Sequence, residues 1–543
     1  MKNILTIIPA AGRGSRMLSL TDNCAKSMMS VAGKPLISYL LDQIVEAELY
    51  NVAIIVGYQK ESLIDYVNTF YHDKLNITFI EQKELLGLGH AIYQVTKQMD
   101  LSIYTDGVFI MLGDAIFNTN KIFNFKESYI ACEEMVDYSR WCIAVQKDNK
   151  LVKLLDKPTN KPEINLALVG AYYFDDSKLF IESVQTAINS GITIKNEYQI
   201  STAIEIYKDT KPISIITVEE DEWFDFGELG VYNTNRRKFN QSRFFNNIIY
   251  NENSSITKKS DLNKTKIQKE INWFLALPEA LKLYIPSLIS YNLDDTNTSY
   301  TVEYCVGNTL QEMWLYNNLD TETWVTILTN ILNIVNTFRE NSSDYKIDFY
   351  SFIESQLNKR VNLSDYFDGE YDINGVHYNL SDLYIFFTSY LEDFKSRSIN
   401  TRSHICHGDM VFSNIIYDPS NSSVKLIDPR GDFCGNIIYG DSRYDIAKLA
   451  QCIIGDYDYI VNDLFVLTKD GYKLYTNKTD EFKKTLFDVV TNNFNKKDII
   501  FLTAIQFMTM IPLHAENKKH QTVMKYKSIE LLSKLKQLTE DKL

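Results

Sequence analysis

The sequence predicts an α/β chain in two parts. The first is a domain built on an open, mostly parallel sheet with helices on both faces, and the second is an α+β domain that is largely helical. Three observations carry this expectation. Short apolar runs alternate with amphipathic helical patterns from residue 3 to residue 235, which is the order that parallel strands with crossover helices require. A polar, Asn- and Ser-rich stretch from Asn233 to Asn263 then breaks the rhythm and puts a boundary near residue 240, giving domains 1–240 and 243–543. Finally, 543 residues are more than one hydrophobic core sustains.

Taken in order, Ile4–Ile8 reads as a buried strand that passes through Pro9 into Ala10-Ala11-Gly12-Arg13-Gly14-Ser15-Arg16-Met17. Leu36–Glu48 reads as a helix, Val52–Val56 as a strand, Glu61–Phe70 as a helix, and Ile77–Ile80 and Val108–Leu112 as short strands. In open sheets of this kind ligands gather at the carboxyl ends of the strands, where the glycine turn and Gly113-Asp114 both fall. Beyond the boundary, Lys264–Leu277 has helical spacing and Tyr300–Tyr304 is strand-like, reaching a turn at Gly307. The runs Asn414–Tyr417 and Val424–Ile427 form a hairpin pattern.

Composition narrows the function classes. The chain is 45% hydrophobic and 23% charged, as an ordinary globular protein is. No run approaches the ~20 apolar residues of a membrane span. Met1-Lys2-Asn3 leads at once into the first strand, so no signal peptide is expected. Seven scattered cysteines without a C-x-x-C pair fit free thiols in a reducing cytoplasm and speak against a zinc site. A net charge of −14 argues against nucleic acid as a partner. The expectation is a cytoplasmic enzyme, and the sequence carries no signal of its oligomeric state.

A buried strand ending in a glycine turn with two arginines is a place for phosphates, because glycine lets backbone N–H groups approach an anion and the cations offset its charge. The spacing lacks G-x-x-x-x-G-K-[ST], and Met17 stands where a dinucleotide fingerprint has its third glycine. The turn, with Lys26 downstream, resembles the sugar-phosphate nucleotidyltransferases, and the resemblance covers most of residues 3–235. It implies a glycosyltransferase-A-like fold, with Ala11, Gly12 and Gly14 cradling the triphosphate and Arg16 and Lys26 as catalytic cations. Ala25 stands where that family usually has proline before the lysine. Gln82 and the Gly87-Leu88-Gly89-His90 segment match the base-recognising part, where an amide meets a pyrimidine edge and Gly87 lets the ring lie against the backbone. Asp114, after Leu112-Gly113, and Asp225, in Trp223-Phe224-Asp225-Phe226-Gly227, match the Mg²⁺ ligands, two hard oxygen donors that leave room for waters and phosphates. Lys157 would hold the acceptor phosphate and Glu197 a sugar hydroxyl.

A second constellation lies in His407-Gly408-Asp409, Asn414 and Leu426-Ile427-Asp428. It resembles the aminoglycoside phosphotransferase and choline kinase family, and so implies a two-lobed, protein-kinase-like domain. By this resemblance Asp409 orients and deprotonates the attacking hydroxyl, while Asn414 and Asp428 bind Mg²⁺. Lys258, in Ile256-Thr257-Lys258-Lys259, would reach the ATP phosphates with Glu270 as its ion-pair partner, and Glu303-Tyr304 would be the hinge at the adenine. Asp445, in Gly440-Asp441-Ser442-Arg443-Tyr444-Asp445, is read as structural, and His407 as a brace for its loop. Pro429-Arg430-Gly431 departs from relatives that carry an aromatic or acidic residue after the metal-binding aspartate.

Together the two resemblances imply a bifunctional enzyme that uses Mg²⁺ at both sites. ATP phosphorylates a small sugar or alcohol, and a pyrimidine triphosphate (UTP, dTTP or CTP) then converts that phosphate into a nucleotide conjugate for cell-surface polysaccharide. The alternatives are a choline- or ethanolamine-type kinase joined to a CTP-dependent cytidylyltransferase, and a nucleotidyltransferase with a non-catalytic, regulatory kinase-like domain.

Overall fold

The computed structural model describes residues 2–540 except 22–23, 32, 136–137, 161–165, 239–246, 252–253, 261–262, 295–297, 318 and 342–345. The chain forms two compact units, Met1–Phe239 with Tyr316–Asn318, and Asn240–Leu315 with Leu319–Leu543. The boundary expected near residue 240 falls at 239–246, outside the described residues.

In the first unit β1 (Leu5–Pro9), α1 (Leu36–Glu46), β2 (Asn51–Val56), α2 (Lys60–Tyr71), β3 (Asn76–Glu81), α3 (Leu88–Gln98) and β4 (Val108–Met111) follow the expected alternation. β1 pairs in parallel with β2 and β4, and β2 pairs in parallel with β3. After β4 come β5 (Ala115–Phe117), β6 (Tyr129–Glu134), β7 (Cys142–Lys147), β8 (Lys150–Asp156), β9 (Leu166–Phe174), α4 (Ser177–Asn189), α5 (Ile200–Thr210), β10 (Ser214–Val218), β11 (Trp223–Asp225) and α6 (Leu229–Lys238). The nine-stranded sheet has the order β3-β2-β1-β4-β9-β6-β10-β8-β7.

This sheet is mixed, which corrects the expectation of a mostly parallel one. β9 runs antiparallel to β4, β6 and β7, and β8 antiparallel to β7 and β10. The reason is local. β6 to β9 follow one another without an intervening α-helix, and parallel neighbours need a long crossover. β7 and β8 are joined by Asp148 and Asn149, whose φ angles of 53° and 59° make the two-residue turn that matches hairpin twist.

Strand periodicity sorts the core. Leu5, Ile7, Ala53, Ile55 and Ile110 form one cluster with Ile92 and Val95 of α3, Phe180 and Val184 of α4, and Ile204 and Tyr207 of α5. Ile8, Val52 and Ile54 point the other way and are equally buried, so both faces of this region are covered. A smaller cluster of Met17, Met29, Leu36, Ile116, Phe224, Phe226 and Tyr232 includes residues of the β5–β11 ladder. Met17 is fully buried there, and burying such a side chain is worth about 1.5–3 kcal/mol. The residue that breaks the dinucleotide pattern therefore anchors the end of the glycine turn.

In the second unit β12 (Asn247–Asn251), β13 (Ser255–Lys259), β14 (Leu288–Asn292) and β15 (Ser299–Glu303) make an antiparallel sheet in the order β12-β13-β15-β14. Against it packs α7 (Lys264–Ala276), which buries Ile267, Ile271 and Phe274. The rest of the unit is mainly helical, with α8 (Thr321–Glu340), α9 (Phe349–Arg360), α10 (Leu380–Ser396), α11 (Ser442–Ile453), α12 (Lys496–Met510) and α13 (Lys518–Glu540). The expected hairpin is present as β16 (Ile415–Asp418) and β17 (Ser423–Leu426). Among the described residues no helix is long and apolar enough to cross a membrane.

Candidate active sites

In the first unit the turn after β1 is hung between two neighbouring strand ends. Ala10 N donates to Ile55 O at 2.8 Å, Tyr58 N to Ala11 O at 3.2 Å, and Gly113 N to Pro9 O at 3.2 Å. Gly14 has φ +67°, and a Cβ there would lie 3.3 Å from Lys26 Cβ, so this position needs glycine. A Cβ on Gly12 would meet nothing within 4 Å, which leaves the backbone open to the cleft. That cleft, of about 450 Å³, is lined by Ala11, Gly12, Gly14, Arg16, Lys26, Gln82, Gly87, Asp114 and Glu197 among others. It thus gathers nine of the residues that the motifs single out.

Charge is concentrated at one end. Lys26 is buried, with its Nζ 2.5 Å from Asp114 Oδ2. The β5–β11 ladder pairs Ala115 with Asp225, and Phe226 N donates to Asp114 O at 3.0 Å, so two carboxylates distant in sequence become neighbours. Burial and the negative charge of Asp114 push the Asp225 carboxyl up to about 6. Burial presses Asp114 in the same direction, but Lys26 and Arg16 outweigh it and hold that carboxyl below its ordinary value. Gly227 N donates to Asp225 Oδ1 at 2.9 Å.

The donor set fits Mg²⁺ shared with a phosphate. Mg²⁺ takes one or two protein carboxylates and completes its shell with waters and substrate oxygens. Two adjacent carboxylates, one of which resists ionising beside the other, offer that number. Among the described residues no group of three or more His, Cys, Asp and Glu side chains is arranged to cage a metal by itself.

The segment after Gln82 is pinned to residues 197–199. Gly87 has φ +102°, and a Cβ on it would lie 2.7 Å from Tyr198 O and 2.8 Å from Glu197 Cβ. Gly89 N donates to Tyr198 O and Tyr198 N to Leu86 O, each at 2.8 Å. The glycines therefore admit the 197–199 segment, and this close approach brings Glu197 to the cleft, which Gly87 and Gln82 also line. Gln82 is 5% exposed, its Nε2 3.3 Å from both Gly87 O and His90 Nδ1. Lys157 has φ +49° and donates its N–H to Trp141 O at 2.9 Å; the cleft lining does not include it.

In the second unit Lys258 of β13 is buried between two carboxylates. Its Nζ lies 2.8 Å from Glu270 Oε2 and 2.9 Å from Asp428 Oδ1. Glu270, on α7, is fully buried and also accepts from Tyr300 OH at 2.8 Å. Asn414 Nδ2 donates to Asp409 O at 2.9 Å and to Asp409 Oδ2 at 3.2 Å, and Ile427 N to Asn414 O at 3.0 Å. The turn before Asp409 is held by Asp445, which accepts from His407 N at 2.9 Å and Gly408 N at 2.6 Å. Burial pushes the Asp445 carboxyl up to about 7 and the His407 imidazole down to about 4, so His407 is neutral and packs edge-on to Trp273 at 5.7 Å. The Glu303 carboxylate is engaged by Ser287 Oγ at 2.7 Å and lies 3.4 Å from Lys425 Nζ.

One residue escaped the motif reading. Lys448, on α11, has its Nζ 3.1 Å from Asp409 Oδ1 and is 8% exposed. The available signal was its spacing: Asp445 and Lys448 are three apart and share one helix face.

Residues 5–241 match the family described as Nucleotidyl transferase. The UTP--glucose-1-phosphate uridylyltransferase AglF of Haloferax volcanii is 30% identical over 210 residues, which are 37% of this chain and 82% of that protein. The bifunctional protein GlmU of Methanocaldococcus jannaschii is 33% identical over 201 residues; the match takes 37% of this chain and spans only 45% of GlmU. A solved UDP-glucose pyrophosphorylase complexed with UDP-glucose is 23% identical with a TM-score of 0.38, covering 44% of this chain and 98% of that one. Through residues 5–241, the chain belongs to the nucleotidyl transferase family.

Proposed function

We propose that the chain is bifunctional, with a sugar-phosphate nucleotidyltransferase in its first unit and an ATP-dependent small-molecule kinase in its second that makes the acceptor phosphate. In the first unit a sugar 1-phosphate oxygen attacks the α-phosphorus of a pyrimidine triphosphate. The new P–O bond forms as the bond to the β-phosphate bridge breaks, and pyrophosphate leaves. No protein nucleophile is needed; the rate comes from alignment and charge. Turn residues 11–14 receive the phosphates, and Arg16 and Lys26 offset charge developing on the leaving group. Lys26, already against Asp114 at 2.5 Å, is placed to trade that carboxylate for a phosphate oxygen. Asp114 and Asp225 would hold Mg²⁺, which when bound neutralises phosphate charge. Glu197 is the candidate for a sugar hydroxyl, and Lys157 for the acceptor phosphate. The observation that carries this half is the pair Asp114 and Asp225 meeting across one ladder beside the glycine turn.

In the second unit Asp409 takes the proton of the acceptor hydroxyl as its oxygen attacks the γ-phosphorus of ATP, and ADP leaves. Lys258, fixed by Glu270, reaches the ATP phosphates; Asn414 and Asp428 would hold Mg²⁺ there; the 303–304 backbone is the hinge. The support is the buried Lys258 held jointly by Glu270 and Asp428, together with Asn414 clasping Asp409. Such parts act by positioning and charge neutralisation. The conjugate formed would feed cell-surface polysaccharide synthesis.

The test supplies the full chain with ATP, one of UTP, dTTP or CTP, and a panel of free sugars, sugar acids and amino alcohols, following ADP and pyrophosphate together. The expected result is pyrophosphate from a free acceptor only when ATP is present, and from a ready-made sugar 1-phosphate without ATP. If ready-made phosphates react but no free acceptor ever yields a conjugate, the second unit is not the upstream kinase.

A further inference from the structure

Helix α11 reaches the Asp409 turn with two side chains from one face, and the two take hold of different things. Asp445 accepts from His407 N at 2.9 Å and from Gly408 N at 2.6 Å, so it holds the backbone. Lys448, almost one helical turn further on, holds the Asp409 side chain, its Nζ 3.1 Å from Oδ1. The backbone is secured without that contact. Arg430 N donates to His407 O at 2.9 Å and Asn414 Nδ2 to Asp409 O at 2.9 Å, so with Asp445 the main chain is fixed on both sides of Asp409.

The carboxylate itself is less constrained. The Asp409 side chain is 38% exposed, and a carboxylate on a fixed backbone is still free to turn about χ1 and χ2. Two donors stop that turning, one on each oxygen: Lys448 Nζ on Oδ1 at 3.1 Å and Asn414 Nδ2 on Oδ2 at 3.2 Å. Together they set the plane of the carboxylate. An ionised carboxylate has about four lone-pair sites, which leaves room for the O–H of an acceptor. Lys448 is buried, and among the described residues Asp409 is the one carboxylate within 4.0 Å of its Nζ. Its ammonium also lies over the Tyr444 ring at 6.0 Å. Burying an ammonium is costly and is offset only by good pairing, so a desolvated cation is committed to the group that faces the hydroxyl.

We propose that Lys448 is a positioning residue of the phosphotransfer site: with Asn414 it locks the plane of the Asp409 carboxylate, so that a free lone pair faces the acceptor hydroxyl. This rests on the kinase reading of the second unit. The hydroxyl proton passes to Asp409 as the acceptor oxygen bonds to the γ-phosphorus of ATP, the bond to the β–γ bridging oxygen breaks, and ADP leaves. Lys448 keeps its protons throughout and acts through the carboxylate it holds. Alignment of the attacking oxygen counts most in the transition state, and a misplacement of about 1 Å costs about a hundredfold in rate.

The test follows ADP release by the full chain with ATP and whichever of the free sugars, sugar acids and amino alcohols turns over. Lys448→Met, which is close in size but has no N–H to donate, should lower kcat at least about tenfold, with the KM of ATP and of the acceptor each within about threefold. The decisive measurement is a double-variant cycle with Asp409→Ala. Without the carboxylate Lys448 has nothing to position, so adding Lys448→Met should leave the residual rate of Asp409→Ala within about threefold. A lysine needed merely for the fold would slow the double variant by its full factor again, and losses that multiply in this way overturn the proposal. So do a Lys448→Met variant with the wild-type kcat and a loss confined to ATP KM. Should Lys448→Met fail to fold, Lys448→Gln, which keeps a polar end without the charge, takes its place in the same cycle. A wild-type protein that binds ATP, seen as a rise in melting temperature, yet releases no ADP with any acceptor fails at the kinase reading instead, and the proposal falls with it.

Discussion

Replacing Asp225 with asparagine should make the metal-free protein more stable at alkaline pH while stopping nucleotidyl transfer. Asp225 ends the ladder strand beside Asp114, and burial with that neighbour's charge lifts its carboxyl from 3.8 to about 6. Folding therefore favours the protonated form. The resulting stabilisation is complete below the unfolded value of about 3.9 and is lost as the pH rises through the folded one, so at pH 8 the ionised group costs the fold at most about 3 kcal/mol. Water reaching a partly exposed carboxylate roughly halves this, leaving a gain of about 1–2 kcal/mol for Asp225→Asn at pH 8 and roughly none at pH 4. The amide oxygen still accepts from Gly227 N, which now donates at 2.9 Å, so no buried N–H is orphaned. The assay is thermal melting of the full chain in EDTA, with the transition of the first unit identified by its shift on adding UTP. Each kcal/mol should raise that transition by about 2–4 °C. With Mg²⁺ and UTP the order should reverse, because only the wild type gains a full ligand pair, and pyrophosphate release by the variant should fall at least about a thousandfold. A variant that melts no higher than wild type at pH 8 in EDTA, or that releases pyrophosphate at the wild-type rate, would refute the coupled-carboxylate argument.

Arg16→Ala should lower kcat for pyrophosphate release at least about a hundredfold with nucleotide KM within about threefold, since its charge matters most as the leaving group forms; a change confined to KM contradicts this. Gly87→Ala should cost about 1–3 kcal/mol in urea unfolding and raise triphosphate KM, because φ +102° and Tyr198 O at 2.7 Å leave no room for a Cβ; unchanged stability would mean the 197–199 segment yields freely. Lys258→Met strands Glu270 and Asp428 without their shared cation, and should destabilise the second unit by about 3–5 kcal/mol and abolish ADP release while pyrophosphate release from a ready-made sugar phosphate persists. Loss of both activities would mean the units do not fold separately.

Much of the architecture could be read before any coordinates. The alternation from Leu5 to Met111 was legible because helix and strand periods are set by neighbours along the chain, and parallel strands oblige a helix between them. The glycine turn was legible for the same local reason: Gly14 needs its positive φ whatever else the fold does. The hairpin of residues 415–418 and 423–426 belongs to this class too. Tertiary structure decided the rest. The β7–β8 hairpin hung on two residues, Asp148 and Asn149, whose left-handed turn replaced a crossover. Asp225 ends one short strand and Asp114 immediately precedes its partner, and the register of the two strands makes them neighbours. That Gly87 is also the seat for residues 197–199 could not be read from its own neighbours in the chain. Lys448 and Arg430 belong to a helix and a loop, and only packing around Tyr444 brings them together. The physical division is that dihedral preference and hydrophobic period act over a few residues, whereas strand register, burial and the field at a carboxylate depend on which distant segments are pressed together.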